Sequence, residues 1–263
     1  MEFAREAVVL VAARRDHPLV SIQPKGEIVS NSLLTRLGAA CGALYVVIAI
    51  LVNDTLGSGS PDSTASAQAI GAWWRAHEVT NADWALVFAE LFALLCFPVF
   101  VVVLAWVLQR ADGGRTWLPW AVLAMGLLSA VVKLASGAPM FALLWRADNG
   151  ISDGLAAAMT DMNGASFLLT WAIDSVMLAA AGGVILSTRC MPRWLGWWAL
   201  VTAPLLLATV PFAASAPPTF LLALIWIVAT SITLVVRGDR APATAPAGIV
   251  VTACPPGARS SLR

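Results

Sequence analysis

Residues 83–108 read DWALVFAELFALLCFPVFVVVLAWVL. Past Asp83 at its edge, one charged residue interrupts the apolar run, Glu90. As a helix rising 1.5 Å per residue the stretch is roughly 39 Å long, enough to cross a hydrocarbon core of ~30 Å with some tilt. Its apolar residues are continuous and do not alternate with polar ones, so a barrel strand is not a credible reading. A charge inside a bilayer costs at least ~2.5–3.5 kcal/mol, so it faces a bundle interior and takes a partner. The segment predicts a transmembrane helix, and Glu90 predicts a polar site within it.

Outward from this stretch the pattern repeats. Apolar segments fall at 37–52, 117–145, 163–188, 195–213 and 219–236. With 83–108 they predict an all-α fold, a polytopic membrane bundle of six transmembrane helices. Two of the segments are interrupted as the first is, by Lys133 and by Asp174. Composition agrees: 12% of residues are charged, against about 25% in a soluble domain. The net charge of +1 offers no basic face for a nucleic acid. Of the 16 basic residues all but Lys25 and Lys133 are arginine. With the alanine-rich runs, that usage suggests a GC-rich bacterial genome, and the expected location is a bacterial cytoplasmic membrane.

Basic residues also predict the orientation. With the N-terminus in the cytoplasm, Arg5, Arg14, Arg15, Lys25 and Arg36 lie inside. So do Arg110 and Arg115, Arg189 and Arg193, and four arginines from Arg237 to Arg263. Only Arg75 and Arg146 lie outside, as the positive-inside rule requires, and both termini are cytoplasmic. Trp84 and Trp145 mark the outer interface. Trp106, Trp117, Trp120, Trp194, Trp197 and Trp198 mark the inner one.

Residues 1–32 read as a polar, disordered leader. Its apolar run from Ala7 to Ala13 is too short to span, and Arg14, Arg15 and Asp16 follow where a signal peptide would carry small residues. The recognisable protein begins near Val29 to Leu33, so a start codon placed too far upstream is an alternative reading of the leader. The one long connection, 53–82, opens flexibly with Gly57-Ser-Gly-Ser-Pro61 and then predicts an interfacial helix over 63–78. That helix reads either as a lid over an outward-facing cavity or as a plain anchor. Residues 238–263 read as a disordered cytoplasmic tail rich in Pro, Ala and Gly.

The three intramembrane charges fall at comparable depth. Counting 1.5 Å per residue from the outer boundaries puts Glu90 about 10 Å, Asp174 about 16 Å and Lys133 about 19 Å in. Polar neighbours accompany each. Asn163, Ser166, Thr170 and Asp174 share one helix face, as do Ser129, Lys133 and Ser136. These stripes predict a polar site opening outward, with Glu90, Lys133, Asp174, Asn163, Thr170, Ser129 and Ser136 as ligand- or proton-site candidates. Two carboxylates against one ammonium leave a surplus negative charge. One carboxylate is expected to pair with Lys133 and the other to hold or share a proton. A purely structural buried network has the same composition, and that alternative stays open.

Other signals are weaker. Gly38 and Gly42 form a GxxxG that favours close packing with another helix of the chain, or dimerisation. Pro98 and Pro139 predict kinks. Tyr45 either donates to the cluster or packs. His77 has no second histidine near it, and Cys41, Cys96, Cys190 and Cys254 lack ligand spacing, so no metal and no cofactor is expected. Nucleotide-binding and hydrolase motifs are absent.

The run Met191-Pro-Arg-Trp-Leu-Gly-Trp-Trp198, with Asp161-Met-Asn163 and Ala172-Ile-Asp174, resembles a bacterial family of multi-pass membrane proteins known as a domain of unknown function, in which actinobacterial members are prominent. The resemblance covers roughly 37–236. It implies an all-helical bundle of about six spans and carries no activity with it. The leading expectation is a small binding, sensing or accessory membrane protein. The alternatives are a proton-coupled small-molecule carrier and, less favoured, an intramembrane lipid- or isoprenoid-modifying enzyme with a carboxylic acid as general acid. The expected partners are the bilayer and a small-molecule, lipid or membrane-protein ligand.

Overall fold

Seven helices, and no strand, make up the described residues of the computed structural model, which are 27–56, 61, 65–147, 149–211 and 217–237. They are α1 (Glu27–Leu56), α2 (Ala67–Ala76), α3 (Asn81–Asp112), α4 (Leu118–Ala147), α5 (Asp153–Thr188), α6 (Arg193–Thr209) and α7 (Pro217–Arg237). The leader up to residue 26, most of the Gly57–Pro61 stretch and the 238–263 tail lie outside the described residues.

Several boundaries differ from those expected. α1 starts at Glu27, so residues 27–32 are helix and not leader. Pro24 and Gly26 are the last breakers before it, and nothing between Glu27 and Leu37 stops a helix. α5 starts at Asp153, ten residues before the expected 163. Ser152 caps it, its side chain accepting from the Leu155 N–H. The polar residues up to Asn163 are its first turns, not a connection. α2 is shorter than the 63–78 expected, because Ser66 caps it at one end and His77 is already extended at the other. α3 begins with Asp83 accepting from the Thr80 N–H at 2.7 Å. It stops at Gly113, where φ is 63° and glycine carries no steric penalty.

Neighbour relations close a ring. α1 packs on α3, α3 on α4, α4 on α5, α5 on α6, α6 on α7, and α7 back on α1. Short connections make α3 to α7 successively antiparallel, and α1 is antiparallel to α3 by its contacts, Gly38 facing Val103, Gly42 facing Phe100 and Tyr45 facing Phe97. The GxxxG of α1 is spent inside this ring. A Cβ on Gly38 would overlap Val103 of α3, and one on Gly42 would overlap Phe100 of α3 and Ser231 of α7. α5 and α6 approach equally closely, where a Cβ on Gly182 would stand 2.8 Å from the Gly196 carbonyl oxygen.

The outside of the ring is apolar on every helix. Val47 and Leu51 of α1, Phe92 and Val99 of α3, Val131 of α4, Leu169 of α5, Val201 of α6 and Ile225 of α7 are all exposed. A water-soluble monomer does not expose such a belt, and a bilayer covers it. Five helices (α1, α3, α4, α5 and α7) contain stretches long and apolar enough to cross a membrane. The chain is a multi-pass membrane protein. α6 has 17 residues and measures about 26 Å, a little under the ~30 Å core.

α2 lies across one end. Ile70 and Trp74 bury against Val87 of α3, Leu143 and Leu144 of α4, and Ala156 of α5, a second core separate from that of the ring. Arg75 pins it by an ion pair with Asp153 and by donating to the Ile151 carbonyl at 3.3 Å. This is called the α2 end below.

Candidate functional site

Lys133 and Asp174 meet between α4 and α5. The ammonium Nζ donates to Asp174 Oδ2 at 2.9 Å, and both residues are buried. The same Nζ lies 4.3 Å from the centre of the Phe97 ring and 5.6 Å from that of Tyr45. In a low-dielectric interior such ring faces stabilise a cation. Lys133 thus has a counter-charge and two π faces. Asp174 has one oxygen satisfied, while Oδ1 is buried without a hydrogen-bond partner.

Glu90 stands apart from this pair. It is half-buried on α3, and it makes no hydrogen bond and no ion pair with any described residue. What it does share with Lys133 is a cavity of about 430 Å³, within the ~300–1,000 Å³ typical of small-molecule sites. α1 supplies Tyr45, Ala49 and Ile50 to the wall, and α3 supplies Glu90, Ala93 and Leu94. α4 contributes Lys133 and Ser136, α5 Phe167, and α7 Phe220, Leu221 and Leu224. Nine of these twelve are apolar or aromatic. The residues come from the end of α1 and the starts of α3 and α7, so the cavity lies toward the α2 end. α2 itself contributes nothing to the wall.

The wall reaches the surface at two apolar positions. Ile50 is 46% and Leu221 47% exposed, and they belong to the neighbouring helices α1 and α7. The wall therefore meets the surface on the face that lipid covers. Two aromatic rings, Phe167 and Phe220, form another part of the wall. Phe220 packs against Phe167 at 4.9 Å between centroids and stacks on Trp171 at 5.5 Å. The Trp171 indole N–H is buried without a partner.

The expected candidates separate. Glu90, Lys133 and Ser136 line the cavity, and Asp174 holds Lys133 from behind. Ser136 donates to the Lys133 carbonyl at 2.7 Å. Thr170 is buried and turned back on its own helix, donating to the Phe167 carbonyl. Ser129 is fully buried with an unpartnered hydroxyl, and Asn163 is half-buried on α5; neither lines the cavity. Sequence reasoning missed the apolar wall, Phe167, Phe220 and Leu224 among it. In an apolar chain nothing marks a cavity-facing Phe, and only the ring closure of α7 onto α1 brings it there.

The wall holds no pair of a nucleophile with a base. It offers one unengaged carboxylate, one ammonium already paired, a phenol and a hydroxyl bonded to its own helix. That set can bind a molecule and exchange a proton. Among the described residues no group of three or more His, Cys, Asp or Glu could hold a metal ion. Comparison with protein-family models, curated proteins and solved structures finds no match to this chain.

Proposed function

We propose that this chain is a small ligand-binding protein of a bacterial cytoplasmic membrane, with six spans, both termini in the cytoplasm and the α2 end outside. Its cavity receives an amphiphilic small molecule from the outer half of the bilayer. One observation carries the reading: Glu90 is an intramembrane carboxylate with no hydrogen-bond or ion-pair partner among the described residues, and it faces a cavity. A charge kept only for folding would be paired, as Lys133 and Asp174 are. The basic-residue distribution and the tryptophan belts support the orientation.

The test uses three amphiphiles of equal chain length, decylamine, decanol and decanoate, added to the purified protein in lipid nanodiscs. At least one is expected to raise the thermal midpoint, by mass action on the folded state. The protection should vanish in Ala49→Trp, which fills the cavity. If none of the three protects, the charged residues are a structural network and the reading fails.

A second reading is favoured by the same carboxylate. A proton-coupled carrier needs a titratable group inside its substrate site, and Glu90 is one. In liposomes that reading requires substrate-dependent proton movement that Glu90→Gln abolishes, while the Lys133–Asp174 pair remains intact.

A further inference from the structure

We propose that the ligand is a lipophilic organic cation, an ammonium or phosphonium on an apolar body, that enters between α1 and α7 with Glu90 as its counter-ion; the proposal rests on the ligand-binding reading above. Charge accounting selects the class. Of the two charged side chains in the wall, Lys133 is already neutralised by Asp174 at 2.9 Å. Its charge is further drawn toward the Phe97 ring, away from an incoming group. Glu90 is the other, and the charge that its carboxyl group can offer an incoming molecule is negative. An anionic headgroup could reach a remaining N–H of Lys133, but it would add a third anionic group, beside Asp174 and Glu90, to a single cation. A cation displaces nothing.

The rest of the wall fits the same class. Tyr45, Phe167 and Phe220 supply aromatic faces, which attract cations and also pack against apolar bodies. Aliphatic residues such as Leu94 and Leu224 complete the surface for the apolar body. The mouth at Ile50 and Leu221 has no charged residue, so the route suits a molecule that has already partitioned into lipid.

The experiment is equilibrium binding of radiolabelled tetraphenylphosphonium to the whole chain in phosphatidylcholine nanodiscs. Tetraphenylborate, nearly the same shape with the opposite charge, is the control. The expected result is saturable binding of the phosphonium at one per chain, with no saturable binding of the borate. Glu90→Gln should weaken the phosphonium by at least about tenfold, the scale of removing one partly desolvated charge partner. Glu90→Asp should keep most of the affinity. Saturable binding of the borate, or equal phosphonium affinity in wild type and Glu90→Gln, overturns the cation assignment. Absence of saturable phosphonium binding to the wild type overturns it as well, and needs no variant to fold. In each case decanol or decanoate protection tells whether the ligand-binding reading survives.

Discussion

Lys133→Met leaves the Asp174 carboxylate buried between α4 and α5 with no counter-charge, and Asp174→Asn strands the ammonium in the same way. Each single change is expected to cost about 3–5 kcal/mol, because the desolvation cost stays and the attraction goes. The double variant Lys133→Met/Asp174→Asn removes both charges and should lose less than either single one. Glu90→Gln breaks no pair and should change stability by about 0.5 kcal/mol or less. Unfolding in graded denaturing detergent, read by tryptophan fluorescence, measures all four. A Glu90→Gln loss as large as that of Lys133→Met would show that Glu90 is structural after all. That three charges lie in three apolar segments is plain in the sequence. Which carboxylate takes the lysine is only partly so: the estimated depths put Asp174 about 3 Å and Glu90 about 9 Å from Lys133, and the reach of a flexible lysine stem narrows the larger gap. The helical rotations decide it, by turning Asp174 toward α4 and Glu90 toward the cavity.

Helix contacts are set by small residues at a few crossings, and these crossings respond to substitution in a position-specific way. Gly182→Leu would push a Cβ to 2.8 Å from the Gly196 oxygen and 2.9 Å from Leu200. Backbone cannot yield there, so α5 and α6 must separate, at a cost of about 1–3 kcal/mol or more. Gly137 in α4 has nothing within 4 Å of such a Cβ. Gly137→Ala should be neutral or stabilise by up to about 1 kcal/mol through helix propensity alone. The same unfolding measurement gives both numbers, and equal effects would refute the packing argument. Continuous apolar length identified every long helix, since that is what a membrane demands. It misplaced the start of α5 by ten residues, because the Asp153–Met162 turns are polar enough to pass for a loop. Their helicity comes from the Ser152 cap and from Ala156 packing under Ile70 and Trp74 of α2. No window of sequence around α5 contains those two α2 residues.

The ring as a whole bears on the number of crossings. α6 is the shortest of its six members, and if it lay at one surface the chain would cross five times and end opposite its start. Its packing argues for a crossing. Thr209 at its end meets Thr219 at the start of α7, with 3.0 Å between their hydroxyl oxygens, and the Leu195 carbonyl near its start accepts from the Trp226 indole. α6 therefore runs back along α7 toward the α2 end and fills the gap between α5 and α7. Its buried Leu195, Ala199 and Leu206 face the core, while Trp197, Val201 and Leu205 face outward. Lipid along its length would cover the outward residues. Single cysteines in a cysteine-free background read the topology in whole cells. Gln68→Cys and Asn149→Cys, exposed at the α2 end, should react with an impermeant maleimide without permeabilisation. Arg115→Cys and Arg193→Cys, exposed at the other end, should react only after it. A fluorescent protein fused after Arg263 should then be bright, since it folds in the cytoplasm. A dark fusion with the four cysteines behaving as stated would mean that α6 does not cross. In that case α7 would run parallel to α1 and take Phe220, Leu221 and Leu224 out of the cavity wall, which its antiparallel packing on α6 and α1 does not allow.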